Sequence, residues 1–445
     1  MKKIFLILLT VTSLNFAQFS SLNPNEGNLG AGFGMSWIDN NPFYTFKFNP
    51  EIAFANMGIG LDLNLEFSPS GQIRTENFNE VSDYLSIIRY FRYGQKGDPV
   101  YFRVGALDYA TLGHGSIMYL YNNSPTFDAR RVGVEFDLDM NQFGFELVYG
   151  NFLQSGVVGL RGYTRPLKFT SLGSVPVLGN LEVGATFVND FNTDARVTAG
   201  VYDPTTDSFT STNSESTVAA FGFDLGLPIV KTDMVKLDLY YDFAQMLNFG
   251  NGSSAGLILQ LNGLGLVNLR TKFERRLNND QYIPSYFGAF YELERFSLDK
   301  STGAVSSKIQ LLKNATTSLG NGWYGELLVT LLGTFDILGS YQRLDDHPDS
   351  GILHLSTDVS PKDGSFVARA GYDKINIRDE KDLFTLDDRS YLFAELGYKP
   401  MPYIVVSMVY NWTFTPVRDA DDNIIDYAPQ KKIEPRVSFV YPFNL

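Results

Sequence analysis

The 445-residue sequence contains no cysteine. This absence excludes a disulfide-stapled scaffold, a lipoprotein anchored through cysteine and thiolate metal sites. Beyond residue 17, no segment offers the ~18 uninterrupted apolar residues that a membrane-spanning helix needs. No segment carries a convincing helical stripe that could cover a sheet. The sequence therefore lacks the features of a small secreted domain, a lipoprotein and a helical membrane protein.

The first 17 residues have the layout of a secretory signal. Lys2 and Lys3 give a positive start, the apolar run 4–11 follows, and Ala17-Gln18 provides a cleavage site. The run is too short for a spanning helix, which needs ~20 residues. We expect residues 1–17 to be a signal peptide that is removed and residues 18–445 to form the mature domain. The alternative is an uncleaved anchor.

The charge balance is acidic. Removing Lys2 and Lys3 with the signal lowers the basic count from 36 to 34 against 49 acidic residues, a net charge of −15. Such a surplus argues against nucleic acid as a partner of the bulk surface. We therefore expect no nucleic-acid partner.

The dominant pattern is a strict alternation of apolar and polar residues. In the segment 59–67, Ile59, Leu63 and Phe67 share one face with other apolar residues, and Asp62 and Glu66 share the other. Successive side chains of a strand point to opposite faces, so each such segment predicts a strand with one apolar and one polar side. The same alternation recurs at 132–140, 143–149, 221–227, 235–243, 287–293, 335–341, 366–372, 404–414 and 433–443.

The connections between these segments alternate between short and long. Short turns are predicted at Asn49-Pro50, Asn141-Gln142, Asn262-Gly263 and Lys399-Pro400. Long polar connections are predicted near 189–217, 373–390 and 416–431. Short turns at one end and long loops at the other are typical of outer-membrane barrels. We therefore predict an all-β fold, a closed antiparallel up-and-down transmembrane β-barrel of about 16–22 strands. The alternative is a soluble β-sandwich or propeller.

The C-terminal run supports the barrel. Residues 436–443 alternate, with Val437, Phe439, Tyr441 and Phe443 on one face. This run resembles the terminal strand of outer-membrane barrels, which the barrel-insertion machinery recognises, although Asn444 and Leu445 follow the last aromatic residue. Nearly all of the mature chain resembles Bacteroidota-type outer-membrane barrel proteins, a porin-like family. The resemblance concerns architecture and implies location in the outer membrane of a Gram-negative bacterium.

The candidate site is a charged constriction in the lumen. If the odd-numbered residues of 100–107 face inward, Arg103 lies in the lumen, and the next strand adds further inward charges. The long connection 108–130 is less polar than a solvated loop. In general porins, a long loop folds into the lumen and narrows it. We expect the same here, or else a hairpin that extends above the membrane. The predicted pore-lining residues are Arg103, Asp128, Arg131, Glu135, Asp137 and Asp139.

These features predict a porin-like channel for passive or facilitated diffusion of small solutes, with a mild cation preference. The runner-up is a barrel that acts as scaffold or partner of a secretion or surface-assembly complex. A minor alternative is an outer-membrane phospholipase, because His114-Gly115-Ser116 resembles the His-x-Ser spacing of that family, although Ile117 and Met118 depart from it. A channel for long-chain apolar compounds would need an N-terminal hatch, for which the chain offers only a short polar segment.

We predict no enzymatic activity, no cofactor and no metal site. The expected partners are outer-membrane lipid and lipopolysaccharide, the barrel-insertion machinery during biogenesis, and small solutes.

Overall fold

The computed structural model describes residues 26–444 apart from 79–80, 108–109, 125, 127–129, 265–266, 315–319, 333–334, 346, 360–364 and 422. The predicted signal peptide and Asp128 therefore lie outside the described residues. Within them, no helix is both long and apolar enough to cross a membrane.

The first part of the chain forms short strands. They are β1 (Glu26–Ile38), β2 (Asn41–Phe48), β3 (Glu51–Phe54), β4 (Met57–Leu61), β5 (Leu63–Phe67), β6 (Ile88–Tyr93), β7 (Val100–Gly105), β8 (Gly133–Asp139), β9 (Phe143–Tyr149), β10 (Val157–Thr164) and β11 (Glu182–Asp190).

The second part forms longer strands and two hairpins. They are β12 (Val197–Asp203), β13 (Ser208–Ser214), β14 (Val218–Lys231), β15 (Val235–Met246), β16 (Asn251–Leu264), β17 (Val267–Asn278), β18 (Phe296–Asp299), β19 (Ala304–Ser307), β20 (Gly322–Leu331), β21 (Phe335–Leu344), β22 (Gly351–Val359), β23 (Phe366–Ile377), β24 (Ser390–Met401), β25 (Ile404–Arg418) and β26 (Ile424–Asn444). The described helices are short: α1 (Val81–Leu85), α2 (Tyr291–Glu294), α3 (Lys308–Asn314) and a few single 3₁₀ turns.

The strands close into a barrel. Each wall strand pairs antiparallel with its neighbour, and β26 returns to pair with β1, for example Phe33 opposite Val437. The strands β2 and β3 are two halves of one wall strand, as are β4 and β5, while β12–β13 and β18–β19 are separate two-stranded hairpins that do not pair with the wall sheet. The described wall therefore has 20 strands, which lies within the predicted range of about 16–22 strands.

Apolar side chains cover the outside of the wall. Phe33, Phe223 and Leu396 are 57–69% exposed, whereas lumen-facing carboxylates such as Asp224 and Glu395 are buried. This partition is that of a barrel whose outer face contacts hydrocarbon and whose polar face is enclosed. The two ends differ. Short turns, the start of β1 and the end of β26 lie at one end, here called the turn end, and most long connections lie at the other, here called the loop end.

Several predicted boundaries are wrong. Asn49-Pro50 is a break within a wall strand, because β2 and β3 both pair with β1. Lys399-Pro400 lies inside β24, and the chain reverses at Pro402-Tyr403 instead. Asn262-Gly263 lies near the end of β16, where the register shifts and Gly263 has a positive φ of 70°. In each case, a residue that favours turns marks a local irregularity rather than the reversal itself.

The predicted strand at 287–293 is also wrong. This segment overlaps α2 and lies inside the barrel, where Phe287 is completely buried. Its alternation of apolar and polar residues reflects contacts with two surfaces, the apolar core of the lumen and the charged wall. A short run cannot distinguish this environment from a strand by periodicity alone.

Candidate functional site

Two long connections at the loop end fold into the lumen. We call the described residues of 106–132 the first inserted segment and the described residues of 279–321, which include the β18–β19 hairpin, the second inserted segment. They run side by side, because the N–H of Phe287 donates to the carbonyl of Ile117 and the N–H of Tyr119 donates to the carbonyl of Phe287. Their apolar side chains form one buried cluster with inward wall residues such as Val148 and Val188. The lumen thus contains a small hydrophobic core of its own.

The tip of the first inserted segment is held against the acidic wall. The N–H of Gly113 donates to Glu146 at 2.8 Å, and His114 Nδ1 lies 2.7 Å from Asp242 Oδ1. The His114 ring also stacks on Tyr240, with 4.3 Å between centroids. A side chain at Gly113 would meet the guanidinium of Arg161 at 2.9 Å, and the φ of this glycine is +55°. Glycine therefore allows the tip to approach the wall this closely.

Lys272 of β17 is the buried anchor of this tip. Its Nζ donates to the carbonyl of His114 at 2.6 Å and lies 3.3 Å from Glu274 Oε2. The ammonium also lies between the rings of Tyr119 and Tyr324, at 4.7 and 5.2 Å from their centroids. Aromatic faces and a carboxylate together offset the cost of removing this charge from water.

Arg161 of β10 organises the carboxylates beside the tip. Its guanidinium binds Asp224 through two hydrogen bonds of 2.9 and 2.5 Å, Glu146 at 2.8 Å and Glu182 at 2.7 Å. The guanidinium also lies 4.6 Å from the ring centroid of Tyr163. Three carboxylates around one arginine leave this part of the wall acidic, although each carboxylate has a partner.

The structure places the predicted residues of β7 and β8 on the lumen side of the wall. Arg103 lies opposite Glu135 in the register of the two strands, and its Nε donates to the carbonyl of Ala106 at 2.9 Å. Glu135 and Asp137 both bind Lys96, at 2.5 and 2.7 Å. These residues therefore form a charged patch, although their role in lining a pore stays a prediction.

Two further predicted residues lie at the ends of this patch. Asp139 forms a bidentate pair with Arg165, at 2.8 and 2.9 Å. Arg131 binds Glu292 of the second inserted segment at 2.8 Å. The sequence places Arg131 opposite Asp128, Glu135 and Asp137, but its described carboxylate partner is Glu292, because the second inserted segment occupies the space in front of it.

The opposite wall carries a second set of paired charges. Lys47 lies 3.1 Å from Glu434, Arg436 binds Glu395 at 2.7 Å, and Lys432 pairs with Glu66. The pore-lining residues predicted from the sequence do not include these cations. Arg436 alternates with apolar residues of the predicted strand 433–443, so the period-two pattern contained the signal that would have found it.

Access to water varies along the barrel axis. Beside the first inserted segment, the side chains of Asp242 and Glu274 are no more than 1% exposed. Toward the turn end, Asp238 and Arg270 are only partly buried. Among the described residues, the lumen face of these strands is therefore less accessible to water beside the inserted segment than toward the turn end.

The His114-Gly115-Ser116 motif does not lie on a strand. It forms the turn at the tip of the first inserted segment, and Gly115 has a φ of +94°. The Ser116 carbonyl accepts a hydrogen bond from the hydroxyl of Tyr282 at 3.1 Å, and His114 is engaged by Asp242. His114 and Ser116 therefore do not have the strand geometry that the phospholipase alternative requires.

No family model and no curated protein matches the chain. Among solved structures, it is similar to Acinetobacter baumannii OccAB2, with a TM-score of 0.30 and 10% identity over 96% of this chain and 100% of the other. It is also similar to Pseudomonas aeruginosa OccK11 (OpdR), with a TM-score of 0.30 and 11% identity over 96% and 99%. A triple mutant of the Rhodopseudomonas blastica porin gives a TM-score of 0.26 and 8% identity over 93% and 99%. These values are too low to support a functional argument, which rests instead on the contacts of this chain.

Proposed function

We propose that this chain is an outer-membrane channel for small hydrophilic solutes, narrowed at mid-height by the first inserted segment. The observation that carries the proposal is how this segment is held. Its tip is bound to the wall by polar contacts with Glu146, Asp242 and Lys272, beside the apolar cluster that the rest of the segment forms. Because these contacts between the tip and the wall are polar, water and small polar solutes can pass between the two once the segment shifts.

The paired charges limit the expected selectivity. Lys96, Arg161 and Arg165 offset much of the acidic wall, and Lys47, Lys432 and Arg436 offset the opposite wall. The described lumen should therefore discriminate weakly between ions of opposite sign. A mild cation preference is still the expected direction, because three carboxylates surround Arg161 beside the tip.

Conductance in a planar bilayer tests the proposal. The full chain should give small or brief openings. A variant with residues 112–119 replaced by a Gly-Ser linker of equal length should conduct several times more, because the tip contacts are lost. The matched control replaces residues 203–206, in the turn of the β12–β13 hairpin, and should leave conductance unchanged. Absence of conductance in the chain and in both variants would contradict the proposal.

The filled lumen favours a second candidate, a barrel that serves as scaffold or partner of a surface-assembly complex. Deeply buried lumen charges such as Glu434 and Glu274 suit a barrel whose structural role does not need an open path. Stable co-purification of a partner from the native membrane, with no conductance in the linker variant, would support this candidate over the channel.

The same proposal implies the partners of a barrel in this membrane. They are outer-membrane lipid and lipopolysaccharide at the outer face, and the barrel-insertion machinery during biogenesis. Bacteroidota-type origin belongs to the proposal as well and is supported by the sequence resemblance alone.

A further inference from the structure

One connection at the loop end folds outward over the barrel wall. We call residues 378–389, between β23 and β24, the flap. On β23, Asp373 faces the lumen, where it binds His354 at 2.5 Å, so the adjacent Tyr372 and Lys374 face outward. Leu383 and Leu386 of the flap pack against the apolar cluster that contains Tyr372 and Ile377. The flap therefore covers the outer surface of the wall instead of extending into solvent.

A buried lysine anchors the flap to the wall. The side chain of Lys374 is 0% exposed. Its Nζ donates to the carbonyl and the hydroxyl of Thr385 at 2.7 and 2.8 Å and to Asp387 at 3.0 Å. The hydroxyl of Tyr372 donates to the carbonyl of Leu383 at 2.7 Å, and the indole of Trp412 donates to the carbonyl of Asp387 at 2.9 Å. Three outward side chains of the wall thus bind the flap backbone.

Internal contacts fix the shape of the flap. Arg389 forms two hydrogen bonds of 2.9 Å to Asp382. These bonds hold the pKa of Asp382 well below its usual range. Burial tends to raise the pKa of Asp387, but hydrogen bonds from Lys374 and Arg389 outweigh it and lower the pKa. Both carboxylates are therefore ionised at neutral pH and keep the flap closed on Lys374.

The exposed surface of the flap is divided by polarity. Phe384 is 69% exposed, and its ring lies 5.8 Å from that of Tyr372. The exposed neighbours at 378–381 are all charged, with the sequence Arg-Asp-Glu-Lys. On the turn-end side of the flap, the wall exposes Leu396 at 68%, in the apolar band that faces hydrocarbon.

This division fixes the depth at which the flap can lie. Placing a charged side chain at the centre of a bilayer is energetically costly, so residues 378–381 must stay at the headgroup level. An exposed Phe beside an apolar wall gains by entering the acyl region, where aromatic side chains of barrels form girdles. On its turn-end side, the flap adjoins the apolar band of the wall that faces lipid.

We propose that the flap is a lipid-binding element of the outer leaflet, in which Phe384 inserts among the acyl chains while residues 378–381 stay among the headgroups. The proposal rests on the membrane location proposed above but not on channel activity. Its ligand is the lipid surface itself. Lys374 acts as a positioning residue, because it holds the flap against the wall without touching lipid.

Site-directed spin labelling tests this inference, since the chain has no native cysteine. Single-cysteine variants Phe384→Cys, Leu396→Cys and Val201→Cys are labelled and reconstituted into vesicles of phosphatidylethanolamine and phosphatidylglycerol. Leu396 is the membrane reference, and Val201 of the β12–β13 hairpin, 61% exposed, is the aqueous reference. The label at 384 should collide more with oxygen than with a water-soluble nickel chelate, as the label at 396 does.

Two outcomes would overturn the proposal. A label at 384 that matches the aqueous reference would place the flap in solvent. A label shielded from both collision partners would mean that protein, not lipid, covers the flap. In the Phe384→Cys background, Lys374→Met should make the label mobile and water-accessible, while the same substitution should leave the label at 396 unchanged. None of these readouts depends on conductance, so failure here is distinguishable from failure of the channel proposal.

Discussion

The first inserted segment and the flap are both long connections at the loop end, yet one folds into the barrel and the other folds over its outside. Each is anchored by a buried lysine of the wall: Lys272 binds the carbonyl of His114, and Lys374 binds the carbonyl of Thr385. The direction of folding follows the face on which the lysine lies. Lys272 shares the lumen face with Glu274, whereas Lys374 follows the lumen-facing Asp373 and so points outward. A shift of one residue along a strand changes the face.

The composition of the two connections matches their surroundings. Residues 110–121 contain His114 but no acidic residue, lysine or arginine, so they can pack in the lumen core. The flap carries eight charged residues among its twelve and keeps them at the membrane boundary. In these two connections, the face of the wall that carries the anchoring lysine sets the direction of folding, and the composition of the connection sets how deeply it can be buried.

The largest expected effect comes from breaking the buried ion pair of the second inserted segment. Arg295 binds Asp190 at 2.8 Å, with side-chain exposures of 8% and 0%. Arg295→Met leaves Asp190 uncompensated and should destabilise the segment by about 3–5 kcal/mol. Amide hydrogen exchange of residues 279–314 in detergent micelles measures this loss. Lys300→Met breaks the half-exposed pair with Asp207 and should have little effect on exchange, because solvent screens this pair. Equal effects of the two substitutions would contradict the account.

The flap should respond similarly but less strongly to loss of its anchor. Lys374→Met removes a buried cation, but its partners Asp382 and Asp387 keep some contact with water. We expect a loss of about 2 kcal/mol, which corresponds to roughly 30-fold faster hydrogen exchange across the flap. The exposed Lys381→Met is the matched control and should leave exchange unchanged. Unchanged exchange in Lys374→Met would mean that the lysine does not hold the flap.

Acidification should release the flap. The pKa of Asp382 is lowered mainly by its hydrogen bonds from Arg389, and the pKa of Asp387 is lowered mainly by Lys374. A lowered pKa means that the stabilisation is complete above the ordinary value near 4 and is lost as the pH falls through the lowered value. The mobility of a label at 384 should therefore stay constant from neutral pH to about pH 4 and rise below it. A rise already near pH 6 would point to a different titrating group.

The smallest expected effect concerns ion selectivity. Arg161→Gln removes the cation shared by Asp224, Glu146 and Glu182 beside the tip. The added negative potential in the lumen should amount to about 1 kcal/mol, or roughly a fivefold gain in preference for cations over anions. Reversal potentials in a salt gradient measure this change. Lys313→Gln, on the exposed part of the second inserted segment, should leave the reversal potential as it is.

The sequence predicts the candidate site only in part. The low polarity of residues 108–130 indicated that this connection could enter the lumen, and alternation placed Arg103 and Glu135 on the inner face. The second inserted segment was missed, because residues 287–293 alternate like a strand. The direction of the flap was missed as well, because it depends on the phase of β23 and on which loop backbone reaches Lys374.

The alternation of apolar and polar residues was enough to predict an antiparallel barrel. The period of two repeats in local segments throughout the mature chain, and an apolar face that no helix covers favours contact with lipid. What fills the barrel and what covers its outside could not be predicted in this way. Those outcomes depend on contacts between residues far apart in the chain, such as Lys272 with His114 and Arg131 with Glu292, and no local pattern records which buried charge meets which partner.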